Sequence, residues 1–179
     1  KITLSLRGPE TKVSPAPIPE DAEFFGIIFR HGTFMPNLPG SKLVDHEIHL
    51  PETVKNSFQL FGETWEFPNS ENVDVFIKRL IRNDLLAHDQ VVGDVLRGKT
   101  QDLSLRSVQR RFVQVTGLTY KTIQQIERAK QATALLQSGV PISETTYQAG
   151  YFDQAHLTNS LRRFYGQIPA QIIQSDDSA

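Results

Sequence analysis

Apolar and polar positions along the chain change period as the chain proceeds, and each change marks a different kind of element. From Lys1 to about Leu50 the pattern is that of strands. Ile2, Leu4 and Leu6 alternate with polar neighbours, as on a half-buried strand. Pro9, Pro15, Pro17 and Pro19 then punctuate a loop, because proline cannot donate to a ladder and breaks a helix interior. The run Phe24-Phe25-Gly26-Ile27-Ile28-Phe29 reads as a buried strand, and His31-Gly32-Thr33 and Pro36 to Gly40 as turns. So few strands make no stable sheet alone. Residues 1–50 are therefore expected to be the last strands and loops of a β-rich domain. Starting at Lys1 rather than Met, the chain is expected to be the later part of a longer product.

Between Pro51 and His88 the period turns helical. Val54, Phe58 and Phe61 fall at i, i+4 and i+7 after a proline suited to a helix start. Gly62 and Pro68-Asn69 interrupt the pattern. Ser70 is placed to cap a second helix, with Val73, Phe76, Ile77, Leu80, Ile81 and Leu85 as one apolar stripe. Residues 51–88 are expected to form a helical connector.

From Asp89 to Ile172 helices follow one another. Val91, Val92, Val95 and Leu96 make the inner face of a first helix that ends at Gly98-Lys99-Thr100. Ser104 caps a second, Leu105 to Val115, closed by Thr116-Gly117. Leu105, Val108 and Phe112 are expected inward, while Arg106, Gln109 and Arg110 share another face with Arg111 close by. From Tyr120 to Ser138 a long helix carries Ile123, Ile126, Ala129, Ala132 and Leu136 at helical spacing. At about 1.5 Å per residue it spans roughly 28 Å, near the roughly 34 Å turn of B-form DNA. Pro141 opens a further helix to Ala149, and Gly150 to Asp153 form a turn. Asp153 caps Gln154 to Tyr165, with Leu157, Leu161 and Phe164 inward and Gln154, His156, Thr158, Asn159, Arg162 and Arg163 outward. Gly166 to Pro169 stop that helix and begin a last short one, before a tail at 175–179 expected to fray. The fold class expected is mostly α with a β portion at the N-terminus. Its C-terminal all-α domain consists of two helix-turn-helix units joined by a long linker helix.

Charge changes the picture more than composition does. The net charge of −1 conceals two halves: residues 1–96 hold nine Lys/Arg against fourteen Asp/Glu, and residues 97–165 hold ten against four. Such segregation suggests that the second half meets a polyanion. Arginine grips guanine and glutamine grips adenine in the major groove, so Arg106, Gln109 and Arg110 suit a base-reading face. A hydrophobic share of 39% and the lack of an apolar run of membrane-spanning length describe an ordinary globular chain, expected in the cytoplasm. With no cysteine, disulfides, thiolate metal sites and cysteine nucleophiles are excluded.

Three ordered segments resemble one family. Gly150-Tyr151-Phe152-Asp153-Gln154-Ala155-His156-Leu157, with Leu161-Arg162-Arg163-Phe164-Tyr165-Gly166 and Pro169, looks like the second helix-turn-helix signature of AraC/XylS transcription regulators. Ser104 to Phe112, ending in Thr116-Gly117, resembles that family's first recognition helix, and Glu127-Arg128-Ala129 resembles an element of its linker helix. The resemblance implies a twin helix-turn-helix domain over 89–174. It implies that Arg106, Gln109 and Arg110 read bases from one helix and Gln154, Ala155, Thr158 and Asn159 from the other. Arg111, Arg162 and Arg163 would then contact phosphates, which add affinity without sequence information. His156 would touch phosphate or base, or pack on the turn; Tyr151 and Phe152 are assigned to core and turn packing. The partners implied are double-stranded DNA and RNA polymerase, with a homodimer and a small-molecule effector as further expectations. The effector would bind the N-terminal part, where Phe25 to Gly32 is similar to a degenerate β-barrel sensor domain in this family. No cofactor and no enzymatic activity are expected. Two departures bear on orientation: the turn Gly98 to Leu103 lacks the glycine usual within it, with Gly98 where alanine is usual, and Thr145-Thr146 replace an apolar-plus-alanine pair.

Two rival readings are weighed against this one. Asp45-His46-Glu47-Ile48-His49 gathers ionisable groups, but His46 and His49 are three apart, and on a strand they point to opposite faces, so no metal site is expected. A DNA-repair variant of the family, which transfers alkyl groups to cysteine, is excluded by composition. A helical protein-interaction adaptor is distinguished by salt: binding through phosphates weakens steeply as salt rises.

Overall fold

The computed structural model describes residues 2–14, 21–53 and 56–176. The chain divides into two compact units, Lys1–Pro9 with Pro17–Leu118, and Glu10–Ala16 with Thr119–Ala179. The division falls after Leu118, so the domain expected over 89–174 spans both units, and its first helix pair packs with the β elements.

In the first unit, β1 (Leu4–Arg7) pairs antiparallel with β3 (Glu47–Leu50), Leu4 opposite Leu50 and Leu6 opposite Ile48. A second ladder joins β4 (Glu52–Thr53), β5 (Ser57–Leu60) and β6 (Glu63–Glu66), and β2 (Thr33–Phe34) pairs with β7 (Ala87–His88). Helix α1 (Val73–Arg82) closes the apolar side of this region. Phe58, Leu60, Trp65, Phe67 and Leu80 form its buried core with Leu85 and Leu86, and Leu4, Leu6, Leu50, Phe76 and Ile77 pack at its margin. The Trp65 and Phe76 rings meet edge to face at 5.6 Å, and the Arg79 guanidinium lies 3.9 Å over the Trp65 ring while bridging to Glu63 at 3.0 Å. A cation over an indole face is held by the ring quadrupole, so Arg79 ties α1 to β6.

The helix expected near Phe58 and Phe61 is a β-hairpin instead. Phe58 and Leu60 are both buried, at a period of two, with Gln59 between them on the other face. Phe61 (φ 50°) and Gly62 (φ 84°) are both left-handed, which makes a two-residue turn whose twist suits the flanking strands. Val54, the third residue of that helical pattern, lies outside the described residues. A pattern of three apolar positions fits either period, and the turn decides between them. The helical connector therefore reduces to α1, which turns Val73, Phe76, Ile77 and Leu80 of the expected stripe inward. Ile81 is exposed, Leu85 lies past the helix end, and the helix starts after Asn72 rather than Ser70.

The run Phe24 to Phe29, expected as a buried strand, is extended but exposed, with Phe24 at 74% and Ile28 at 96%. No strand pairs with it among the described residues, so its side chains meet no facing layer. Helices α2 (Gln90–Leu96) and α3 (Leu105–Thr116) complete this unit. The backbone around Gly40, in a short 3-10 turn over Gly40–Lys42, approaches the end of α3 so closely that a Cβ on Gly117 would lie 2.6 Å from the Gly40 carbonyl.

The second unit contains α4 (Tyr120–Gln137), α5 (Ile142–Gln148), α6 (Gln154–Tyr165) and α7 (Pro169–Asp176). Ala129, Ala132 and Leu136 of α4 meet Ala149, Tyr151, Leu157, Leu161 and Ile172 in one core. Alanine at two positions lets the helices approach closely over α4. Ile123 is buried as expected; Ile126 is half-buried. Of the tail expected to fray, residues 177–179 lie outside the described residues. No helix among the described residues is long and apolar enough to cross a membrane.

Candidate nucleic-acid interface

The first helix pair is α2 and α3. Asp89 accepts from the Val92 amide at 3.1 Å and so caps α2, satisfying one of the amides a helix start leaves open. Its second carboxylate oxygen accepts from Arg111 Nη1 at 2.7 Å, which ties α3 to α2. Asp89 is nearly buried in this role while the Arg111 side chain stays about half exposed. Asp94, on α2, holds Arg97 and, at 3.2 Å, Lys99. The Arg97 hydrogen bond, with Lys99 assisting, lowers its pKa below the ordinary 3.8 against the opposing cost of burial. Replacing Asp89 with alanine removes the cap and the Arg111 anchor together. Thermal unfolding of Asp89→Ala is expected to show a loss of about 1–2 kcal/mol. An unchanged midpoint would show that neither contact supports the helix pair.

Helix α3 starts at Ser104, whose hydroxyl accepts from the Ser107 amide at 3.2 Å, and ends at Gly117 in the left-handed conformation. Val108, Phe112 and Val115 face the core. Arg106, Gln109 and Arg110 are exposed on the outer side at i, i+3 and i+4, and none makes a side-chain hydrogen bond or ion pair among the described residues. Leu105 departs from expectation. Placed as inward-facing from its i+3 relation to Val108, it is 82% exposed. It is the first residue of the helix, ahead of the turn that meets α2, so no neighbouring helix covers it.

The second helix pair is α5 and α6. Thr145 and Thr146 are both buried in α5, and their hydroxyls donate to the carbonyls of Val140 (3.3 Å) and Ile142 (2.7 Å). The backbone thus satisfies both hydroxyls, which removes the cost of two polar groups in a place suited to apolar ones. Asp153 caps α6 by accepting from the His156 amide at 2.7 Å. Gln154, Ala155, His156, Asn159, Arg162 and Arg163 are exposed, and Thr158 is half-buried.

Tyr151 is buried as expected. Its hydroxyl meets Ser160 Oγ at 2.9 Å, its ring receives the His156 ring edge-on at 5.1 Å, and the Arg128 guanidinium lies 5.6 Å away. Burial raises the phenol pKa above its ordinary value, so the hydroxyl stays protonated. The Arg128-Ala129 pair thereby acquires a physical role: Ala129 admits the second helix pair against α4, and Arg128 lies beside its turn tyrosine. Phe152, expected to pack on the turn, is 93% exposed instead. The buried place on the turn is taken by Tyr151. Arg163 is exposed, and its Nε donates to the Thr11 carbonyl at 3.0 Å, while the Val13 amide donates to the Arg163 carbonyl at 2.8 Å. Residues 11–13 thus lie along the end of α6, a contact with no signature in the local sequence.

Glu47 and His49 stand on one face of β3 and approach within 3.8 Å, but no group of three His, Asp or Glu among the described residues is placed to hold a metal. Sequence reasoning missed the Asp89–Arg111 tie and the exposure of Leu105 and Phe152. A capping Asp89 is visible in the sequence; its second partner, 22 residues away, is not.

Residues 99–175 match the family model described as a helix-turn-helix domain. No curated protein and no solved structure matches the chain. The match takes in α3 to α7, the elements that carry both sets of exposed polar side chains. Residues 99–175 thus match an AraC-type helix-turn-helix domain, which supports a DNA-binding transcription regulator of the AraC/XylS family.

Proposed function

We propose that the chain is a sequence-specific regulator that inserts α3 and α6 into successive major grooves of double-stranded DNA. The observation that carries this reading is the outer face of α3, where Arg106, Gln109 and Arg110 are exposed without internal partners on a helix capped at its start. In this reading those three side chains read bases from α3, and Gln154, Ala155, Thr158 and Asn159 read them from α6. Arg111, Arg162 and Arg163 meet phosphates, with His156 at the edge of the second site. Helix α4, of 18 residues and about 27 Å, serves as the linker, a length that suits two readers about one turn of DNA apart.

The N-terminal part is the sensing part in this proposal. An effector bound there would act on α3 through the close approach of Gly40 to Gly117, and on α2 through the His88 ring, which closes over Gly93. RNA polymerase and a second copy of the chain are the further partners this reading carries.

The test is a salt titration on duplexes selected from a random pool. Three arginines on phosphates give a slope of about −2.7 in log–log form, so a fourfold rise in salt weakens binding roughly 40-fold. Affinity that is negligible at low salt, or flat with salt, removes the regulator reading and favours a protein-interaction module.

A further inference from the structure

We propose that Leu105 and Phe152 read the 5-methyl groups of thymines in the bound DNA. This deepens the regulator reading above and rests on it. Single exposed apolar side chains are common on any protein surface. These two are set apart by where they stand and how firmly they are held.

Leu105, 82% exposed, is the first residue of α3, directly after the capping Ser104. It adjoins Arg106 in the chain and stands one helical turn before Gln109, on the same flank of the helix. Phe152, 93% exposed, directly precedes the capping Asp153 of α6, next to Gln154. The beginning of a recognition helix is the end that reaches base edges. Each residue therefore stands where a reading helix begins, beside an exposed polar side chain, Arg106 or Gln154, that makes no hydrogen bond or ion pair among the described residues.

The backbone is fixed at both positions. The Ser104 and Asp153 caps fix the backbone at each helix start, and Tyr151, anchored through Ser160, fixes the residue before Phe152. A backbone held this way has little further freedom to lose on binding, so the ordering cost is confined to the side chain itself. In the major groove the thymine 5-methyl is the apolar mark among hydrogen-bonding edges, and an apolar side chain against it separates thymine from cytosine. Leucine and phenylalanine offer that surface and no competing polar atom.

The experiment uses the full chain and duplexes recovered from a random pool, in which each thymine is replaced in turn by uracil. The replacement removes only the methyl group. At one position or more, the wild-type chain is expected to bind the uracil duplex about fourfold more weakly, the effect of losing one buried methyl. Leu105→Ala and Phe152→Ser are each expected to lose discrimination at their own position and keep it at the other. Far-UV circular dichroism and thermal unfolding confirm that both variants remain folded, as befits changes at exposed sites. Indifference of the wild type to uracil at every position overturns the proposal. So does a uracil penalty that is the same in the wild type and both variants. Those outcomes with steep salt-dependent binding intact sink this inference alone, whereas failure to recover or bind any duplex sinks the regulator reading along with it.

Discussion

Arg106→Ala is expected to cost about 1–3 kcal/mol on the preferred duplex and to relax the base preference at one position. The side chain is exposed, makes no ion pair among the described residues, and shares the outer face of α3 with Gln109 and Arg110. Its removal therefore leaves the core residues Val108, Phe112 and Val115 untouched, and stability should change little. Competition binding against specific and random duplexes separates two roles. Loss on the specific duplex only marks a base contact. An equal loss on both, with the salt slope reduced by about one, would make Arg106 a phosphate contact and strip it of its reading role.

Gly117→Ala is expected to lower the stability of the first unit by about 2–4 kcal/mol, the second large effect. Two causes add. Gly117 sits at φ 76°, a left-handed conformation that costs an L-residue roughly 1–2 kcal/mol. In addition, its Cβ would come within 2.6 Å of the Gly40 backbone, which cannot move aside as the end of a flexible side chain can. In a unit of this size each kcal/mol lowers the midpoint by about 4–8 °C. Thermal unfolding should thus show a shift of about 8 °C or more. The DNA readout should follow, because the end of α3 is what Gly40 abuts. A shift of only 1–2 °C would mean that the 3-10 turn yields easily and does not hold α3. Combining Gly117→Ala with Gly40→Ala should make matters worse, since the two positions face each other.

The helical half was the more legible half. Helices α2, α3, α4 and α6 start at side-chain caps that act over three or four residues, Asp89, Ser104, Thr119 and Asp153, and α3 and α6 stop at Gly117 and Gly166. Local hydrogen bonds between a side chain and the next turn suffice to place such boundaries, so a short window of sequence contains the information. The exposed polar faces of α3 and α6 follow from the same 3.6-residue period, and with them most of the candidate interface.

The β half was less legible because a strand's state depends on what lies beside it. Phe58 and Phe61 fit a helix by spacing, yet Trp65 opposite Phe58 and the left-handed Phe61-Gly62 turn make a hairpin. Phe24 to Phe29 has the composition of a buried strand, but burial requires a facing layer, and composition cannot supply one. The same limit applied within the interface. Whether Leu105 and Phe152 are covered, and whether Arg111 is tied to Asp89, depends on neighbours distant in the chain.

The sequence by itself determined most helix boundaries, the polar outer faces and the helix-turn-helix match over residues 99–175, since all three rest on short-range capping and periodicity. Only the tertiary structure decided that α2 and α3 pack with the β elements through Gly40 and Gly117, that Asp89 anchors Arg111, and that Leu105 and Phe152 stand in the open. Those outcomes turn on contacts between segments tens of residues apart, where close packing and left-handed backbone, rather than local propensity, select the arrangement.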